Sequence, residues 1–250
     1  MSGHSKWANI KHRKGKQDAQ RGKVFTKLIR EITVSAREGG GDEANNPRLR
    51  AAILAAKAEN MPSTNMERAI KKGTGELEGG AAFESAIYEG YGPGGVALLV
   101  EALTDNRNRT VSEVRHLFNK YNGNMAESGA VSWVFEPKGL VVVPKKEVTE
   151  EDLMMVALEA GAEDMSEEDM AFEVYAPLPQ LEAVRKAIEE AGIEIERSER
   201  TLVPQNSISV EGKTAQQLLT LIDMLEDNDD VQRVYANFEI DEAELAILTA

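Results

Sequence analysis

The sequence predicts an α+β protein of three domains: an N-terminal three-helix domain and two α+β domains, one inserted in the other, with a ferredoxin-like form. Apolar residues recur with a helical period in three segments between residues 17 and 73, whereas strand-like and helix-like segments alternate after residue 84. The last helix and strand cannot form a domain alone and must complete an earlier sheet. The expected domains are residues 1–78, residues 79–136 with 206–250, and residues 137–205.

Three helices are expected in the N-terminal domain. Residues 17–37 place apolar side chains at the i, i+3, i+4 and i+7 positions of an amphipathic helix. A second helix begins at Pro47, with Asn46 as its N-cap. A third begins near Thr64, at the start of a capping box, and Gly73 is the expected C-cap.

The remaining elements alternate between strand and helix. Two strands flank a Gly/Pro turn at residues 92–95, and a helix capped by Thr110 follows. The order strand–helix–strand–helix–strand over residues 139–203 predicts the inserted domain. The acidic residues after Ser166 are expected in the first turn of a helix, and those at 227–230 in a helix-to-strand turn.

Composition excludes several classes of protein. The 250 residues include no cysteine, which removes disulfides, thiolate zinc sites, iron–sulfur clusters and cysteine nucleophiles. No apolar run approaches the roughly 18 residues of a membrane span, and the N-terminus lacks the pattern of a signal peptide. We therefore expect a cytoplasmic protein with no membrane partner.

The net charge of −14 is unevenly distributed. Residues 1–75 hold 16 lysines and arginines against 7 acidic residues, a net charge of +9. Residues 76–136 carry −5 and residues 137–250 carry −18. A basic segment on an acidic body predicts an anionic partner for the first third of the chain.

The basic segment is the predicted nucleic-acid site. Trp7 lies among its cations, where it could stack on an unpaired base for about 1–3 kcal/mol. The cations before the Thr110 helix, together with the free backbone N–H groups at its N-terminus, are suited to bind a phosphate. The alternative is a solvated charged surface with Trp7 packed on the helices. The candidate residues are Lys6, Trp7, His12, Arg13, Lys14, Lys16, Lys23, Lys27, Arg30, Arg107 and Arg109.

The sequence predicts no enzyme: we expect no catalytic residue, metal, cofactor or small-molecule substrate. It contains no HExxH, no GxSxG and no complete phosphate-binding loop. A metal-dependent nuclease using Asp229 or Asp230 is the alternative from another class. A further alternative is a protein-interaction scaffold whose function does not depend on its cations.

Three long segments resemble the YebC family: MSGHSKWANIKHRKGK and its continuation to residue 32, residues 46–76, and YEGYGPGGVALLVEALTDNRNRTVSEVRH at residues 88–116. The resemblance covers the whole chain. It implies a helical bundle and two α+β domains, one inserted in the other. Family members are described as probable transcriptional regulators that bind DNA, and others activate mitochondrial translation or act on bacterial ribosomes stalled at proline runs.

We therefore expect a nucleic-acid-binding regulator of gene expression, and a DNA-binding transcriptional regulator first. The alternative is a ribosome-associated translation factor that binds ribosomal RNA and relieves stalling at proline runs. Carried over by position, the resemblance places the binding segment at Lys6, Trp7, His12, Arg13, Lys14 and Lys16, with Lys23 and Lys27 on the helix.

Overall fold

A computed structural model describes residues 18–77, 83–146, 148–168, 170–241, 243–244 and 248, with side chains from residue 22 onward. These residues form an α+β protein, as predicted, in which a helical region precedes two four-stranded antiparallel sheets and a two-stranded parallel sheet. The helices are α1 (Asp18–Gly39), α2 (Pro47–Ala58), α3 (Ser63–Gly73), α4 (Arg107–Lys120), α5 (Glu150–Glu159), α6 (Leu181–Glu190) and α7 (Gly212–Asp227). The strands are β1 (Glu84–Tyr91), β2 (Ala97–Thr104), β3 (Asn124–Met125), β4 (Phe135–Pro144), β5 (Asp164–Glu167), β6 (Ala171–Pro177), β7 (Arg197–Pro204), β8 (Ile208–Ser209), β9 (Val231–Ala236) and β10 (Phe238–Glu239).

Helices α1, α2 and α3 pack around a core that includes Ile32, Leu49 and Ile53. The expected cap of α2 is confirmed, since the Asn46 side chain accepts a hydrogen bond from the Leu49 N–H at 3.1 Å. The expected cap of α3 is wrong. That helix begins one residue earlier, after Pro62, and no side chain caps it.

The middle of α1 is enclosed on every side. Residues 32–36 are all buried, including Val34, which lies outside the core formed with α2 and α3. A purely amphipathic surface helix would leave such positions exposed. The second buried side of α1 therefore lies against another part of the chain.

The first sheet has the strand order β3-β1-β2-β9. Helices α4 and α7 contribute Phe118, Leu221 and Ile222 to a core on one side of it, against strand residues such as Leu98. Strand β9 pairs with β2 although about 130 residues separate the two strands, as the register of Leu98 with Ala236 shows. The last helix and strand of the chain thus belong to this sheet.

The second sheet has the strand order β5-β6-β4-β7, and every neighbouring pair is antiparallel. With α5 after β4 and α6 after β6, the order is β-α-β-β-α-β, which is ferredoxin-like as predicted but has one strand more than expected. The helix expected after Ser166 is wrong, because residues 164–167 form strand β5 and pair with β6.

The two sheets and the helical region contact one another. The Arg200 guanidinium on β7 lies 2.9 Å from the Glu101 carboxylate on β2. The Arg50 guanidinium on α2 lies 2.5 Å from the Glu182 carboxylate on α6. These ion pairs connect the second sheet to the first sheet and its helix α6 to the helical region.

Candidate nucleic-acid interface

The predicted site residues fall into two groups. Six lie outside the described residues: Lys6, Trp7, His12, Arg13, Lys14 and Lys16. The other five are on helices α1 and α4: Lys23, Lys27, Arg30, Arg107 and Arg109. Four of these five meet at one place, the turn between α7 and β9.

The last two residues of α7 and the three residues before β9, residues 226–230, are called the acidic turn below. It contains Glu226, Asp227, Asp229 and Asp230. The Lys23 ammonium donates to the Asp227 carboxylate at 2.7 Å, and the Lys27 ammonium donates to the Glu226 carbonyl at 2.5 Å. One turn further along α1, Arg30 donates to the Asp229 carbonyl at 2.5 Å. The basic face of α1 therefore lies on an acidic segment about 200 residues away in the sequence.

Asp230 is the centre of this contact. Its side chain is only 4% exposed, and it accepts from Arg30 at 2.7 Å and from Arg109 at 2.6 Å. The Thr110 hydroxyl donates to the same carboxylate at 2.7 Å. Burial raises the pKa of Asp230, but the hydrogen bonds from Arg109, Thr110 and Arg30 outweigh that effect, so its pKa lies below the ordinary value. The carboxylate stays ionised and joins α1 to α4.

Helix α4 begins earlier than predicted. Its first turn places Arg109 and Thr110 beside Asp230. Its N-cap is Asn106, whose side chain accepts from the Arg109 N–H at 3.1 Å. The expected cap Thr110 is therefore wrong, because its buried hydroxyl is used by Asp230. Arg107 and Arg109 lie in the first turn rather than before it. The Arg107 side chain is 60% exposed, and its guanidinium lies 3.8 Å from Glu84.

A second set of cations was not among the predicted site residues. Arg68, Lys71 and Lys72 project from α3, and Lys57 lies near the end of α2. None of their side chains forms an ion pair or a hydrogen bond with another residue that the structure describes. The first three have the i, i+3, i+4 spacing of one helix face, opposite the buried Met66 and Ala69. That spacing is visible in the sequence and could have identified them.

The acidic residues show no arrangement suited to a metal ion. Within the described ranges, no three aspartate, glutamate or histidine side chains are placed to bind one. In the same part of the chain, no helix is long and apolar enough to cross a membrane. The carboxylate of Asp230, named above as a nuclease candidate, is instead bound by two arginines.

Comparison with known proteins identifies the family. Residues 5–76 match the N-terminal domain of TACO1/YebC proteins, and residues 83–238 match their second and third domains. The chain is 60% identical over 245 residues, 98% of each chain, to a probable transcriptional regulatory protein of Geobacter sulfurreducens. A protein of the same description from Thermotoga petrophila is 56% identical over 246 residues, 98% of this chain and 96% of that one.

A solved structure gives the same result. The crystal structure of a conserved hypothetical protein from Aquifex aeolicus matches with a TM-score of 0.84 and 53% identity, over 90% of this chain and 93% of that one. Family match, sequence identity and fold agree over almost the whole chain. The chain belongs to the TACO1/YebC family.

Proposed function

We propose that this chain is a DNA-binding regulator of transcription whose N-terminal helical domain binds the phosphate backbone. The observation that carries the proposal is the row of cations on α3, Arg68, Lys71 and Lys72, which no described acidic residue neutralises. Relatives at 56–60% identity that are named probable transcriptional regulatory proteins support it.

The α3 row has the dimensions of a backbone contact. At about 1.5 Å of rise per residue, the row spans roughly 6 Å of helix axis. Phosphates follow each other about every 3.4 Å of axis along one strand of a duplex, so the row faces two or three of them. Each neutralised phosphate releases condensed counterions, and this release drives binding.

The rest of the molecule favours one orientation on the nucleic acid. Residues 137–250 carry a net charge of −18 and are repelled by phosphate, whereas residues 1–75 carry +9. The helical domain therefore approaches the polymer first. In this proposal the basic residues from Lys6 to Lys16 also contact phosphate.

A second candidate is a ribosome-associated translation factor that binds ribosomal RNA. Trp7, among the cations of the N-terminal segment, favours it, because an indole ring stacks on unpaired bases and these are frequent in RNA loops. Phosphate contacts alone do not separate the two polymers, since they position a protein without reading its target.

The α3 row is tested by charge reversal. We expect Arg68→Glu, Lys71→Glu and Lys72→Glu together to weaken binding to a short DNA duplex and an RNA hairpin. The slope of log K against log salt should become less steep by roughly 2–3, about 0.9 for each lost phosphate contact. Fluorescence anisotropy at several salt concentrations measures both quantities.

The control has the same total charge. It reverses three exposed lysines of the acidic domains: Lys146→Glu, Lys186→Glu and Lys213→Glu. We expect this control to retain the salt slope of the unmodified protein. Equal losses in both triple variants would show that only net charge matters, and binding unchanged by the α3 reversal would overturn the assignment of the row.

A further inference from the structure

We infer that the chain holds part of its own nucleic-acid surface closed: the acidic turn covers the basic face of α1, and nucleic acid displaces it there. This inference rests on the proposed function and adds its regulation. In the closed arrangement, Arg68, Lys71 and Lys72 of α3 make the first contact. Lys23 and Lys27 become available when the acidic turn moves away.

The chemistry of the covering segment supports this inference. Three cations at i, i+4 and i+7 on α1 meet four oxygen atoms of the acidic turn, which come from Glu226, Asp227, Asp229 and Asp230. Two of these atoms are carboxylate oxygens and two are backbone carbonyl oxygens. A phosphodiester strand likewise presents successive anionic oxygens to a helix face. The acidic turn thus occupies α1 in the way that a backbone would.

The contact between α1 and the acidic turn is more exposed toward the N-terminal end of α1. This difference indicates which end of the contact opens first. At one end, the ion pair of Arg30 with Asp230 has side chains 15% and 4% exposed. At the other end, the pair of Lys23 with Asp227 has side chains 44% and 53% exposed. Exposed ion pairs contribute little and are screened by salt, whereas breaking a buried pair is costly. The Lys23 end therefore opens, and Asp230 remains the pivot.

As a consequence, displacement of the acidic turn from α1 is coupled to the binding of nucleic acid. An anion that contacts Lys23 and Lys27 must replace Asp227 and the Glu226 carbonyl. The affinity for nucleic acid is then reduced by the fraction of molecules that are closed. Weak or short anionic ligands would leave the turn in place, whereas a polymer that already contacts α3 would open it.

The test fixes α1 and the acidic turn in contact with a covalent bridge. The chain contains no cysteine, so two introduced cysteines are the only thiols available for it. Cysteines are introduced by Lys23→Cys and Asp227→Cys. The original pair is joined through a long lysine side chain, so the two Cα atoms are too far apart for a direct disulfide. A bis-maleimide with a cleavable disulfide spacer bridges them instead, and dithiothreitol opens the bridge within the same protein.

The probes are the short DNA duplex and the RNA hairpin named above. We expect the bridged form to bind at least about tenfold more weakly than the same sample after cleavage. A sample with both cysteines capped by N-ethylmaleimide should bind like the cleaved form. In a separate variant, Asp227→Asn, the cover is weakened while Lys23 is kept, and we expect tighter binding at low salt.

The outcomes separate this inference from the proposed function. Equal binding by the bridged and cleaved forms, with normal binding by the unmodified protein, would overturn the inference and leave the proposed function intact. Absence of binding by every form, the unmodified protein included, would reject both.

Discussion

Asp230 accepts hydrogen bonds from two guanidinium groups that come from different parts of the chain. Arg30 lies on the first described helix and Arg109 on the helix after β2. A buried carboxylate is tolerated only when it is paired and hydrogen-bonded, and both conditions are met here. This residue fixes the position of the helical domain against the first sheet.

We expect Asp230→Ala to lower stability strongly. The substitution removes the carboxylate that pairs with the partly buried Arg30 cation, and it removes one acceptor of the Thr110 hydroxyl. Removing one partner of a buried pair costs about 3–5 kcal/mol, and the lower end applies because the Arg109 side chain is 42% exposed. The midpoint of thermal unfolding, followed by circular dichroism, should fall by roughly 6–12 °C.

The neighbouring Asp229 provides the matched control. Its side chain is exposed, and among the described residues only its backbone carbonyl is used, by Arg30. Asp229→Ala should therefore change the midpoint by no more than roughly 2 °C. A loss in Asp229→Ala as large as that in Asp230→Ala would contradict the role given to Asp230.

Individual residues show which features of the structure can be predicted from the sequence. Periodicity correctly places Ile32 in the core and Lys23 on the opposite side of α1. It cannot show that this opposite side is covered, because the covering residues lie about 200 positions away. Capping patterns meet the same limit: Thr110 has a suitable spacing, but its hydroxyl is used by Asp230.

At the scale of elements, the crossing of α1 and α3 depends on Gly73. A Cβ at this position would lie 2.4 Å from the Thr33 carbonyl and 2.7 Å from the Ala36 Cβ. The two helices approach closely because no side chain separates them. The expectation that Gly73 is the C-cap of α3 is wrong: the C-cap is Thr74, and the glycine is required by packing.

We expect Gly73→Ala to destabilise the helical domain by about 1–3 kcal/mol, because the helices must separate to admit the methyl group. Gly22→Ala on α1 is the control, since a Cβ there meets nothing within 4 Å. The control should be neutral or slightly stabilising, because alanine favours helix over glycine. Thermal unfolding compares them, and equal stability of the two variants would contradict the close approach.

Most elements follow from the sequence because their hydrophobic patterns are strong. The run at residues 139–144 forms a strand, and Thr149 caps α5. Strand β5 is not predicted because three of its four residues, Asp164–Glu167, are polar and carry no apolar alternation. Its strand form comes from pairing with β6, a contact that local sequence does not encode.

At the scale of the whole molecule, we propose the domain division 1–78, 79–136 with 206–250, and 137–205. The pairing of β9 with β2 supports the discontinuous middle domain, since it returns the end of the chain to the first sheet. The pairing of Phe135 with Pro204 brings the two ends of the inserted segment together.

This division predicts the behaviour of a cut chain. We expect a protease site introduced at the exposed residues 205–207 to be cleaved without release of the C-terminal fragment. The fragment stays bound because α7 contributes buried leucines to the core and β9 is hydrogen-bonded to β2. Gel filtration under native conditions checks this, with separation in denaturant as the control. Release of the fragment under native conditions would contradict the division.

The charge distribution of the whole chain leads to the central claim, that the basic helical domain binds nucleic acid. In-cell crosslinking of the unmodified protein and of the α3 triple variant, with sequencing of bound DNA and bound RNA, tests it most directly. We predict reads concentrated upstream of genes for the unmodified protein, with loss of these reads in the variant. Reads concentrated on one region of ribosomal RNA would instead identify a translation factor, and enrichment of neither polymer would contradict the claim.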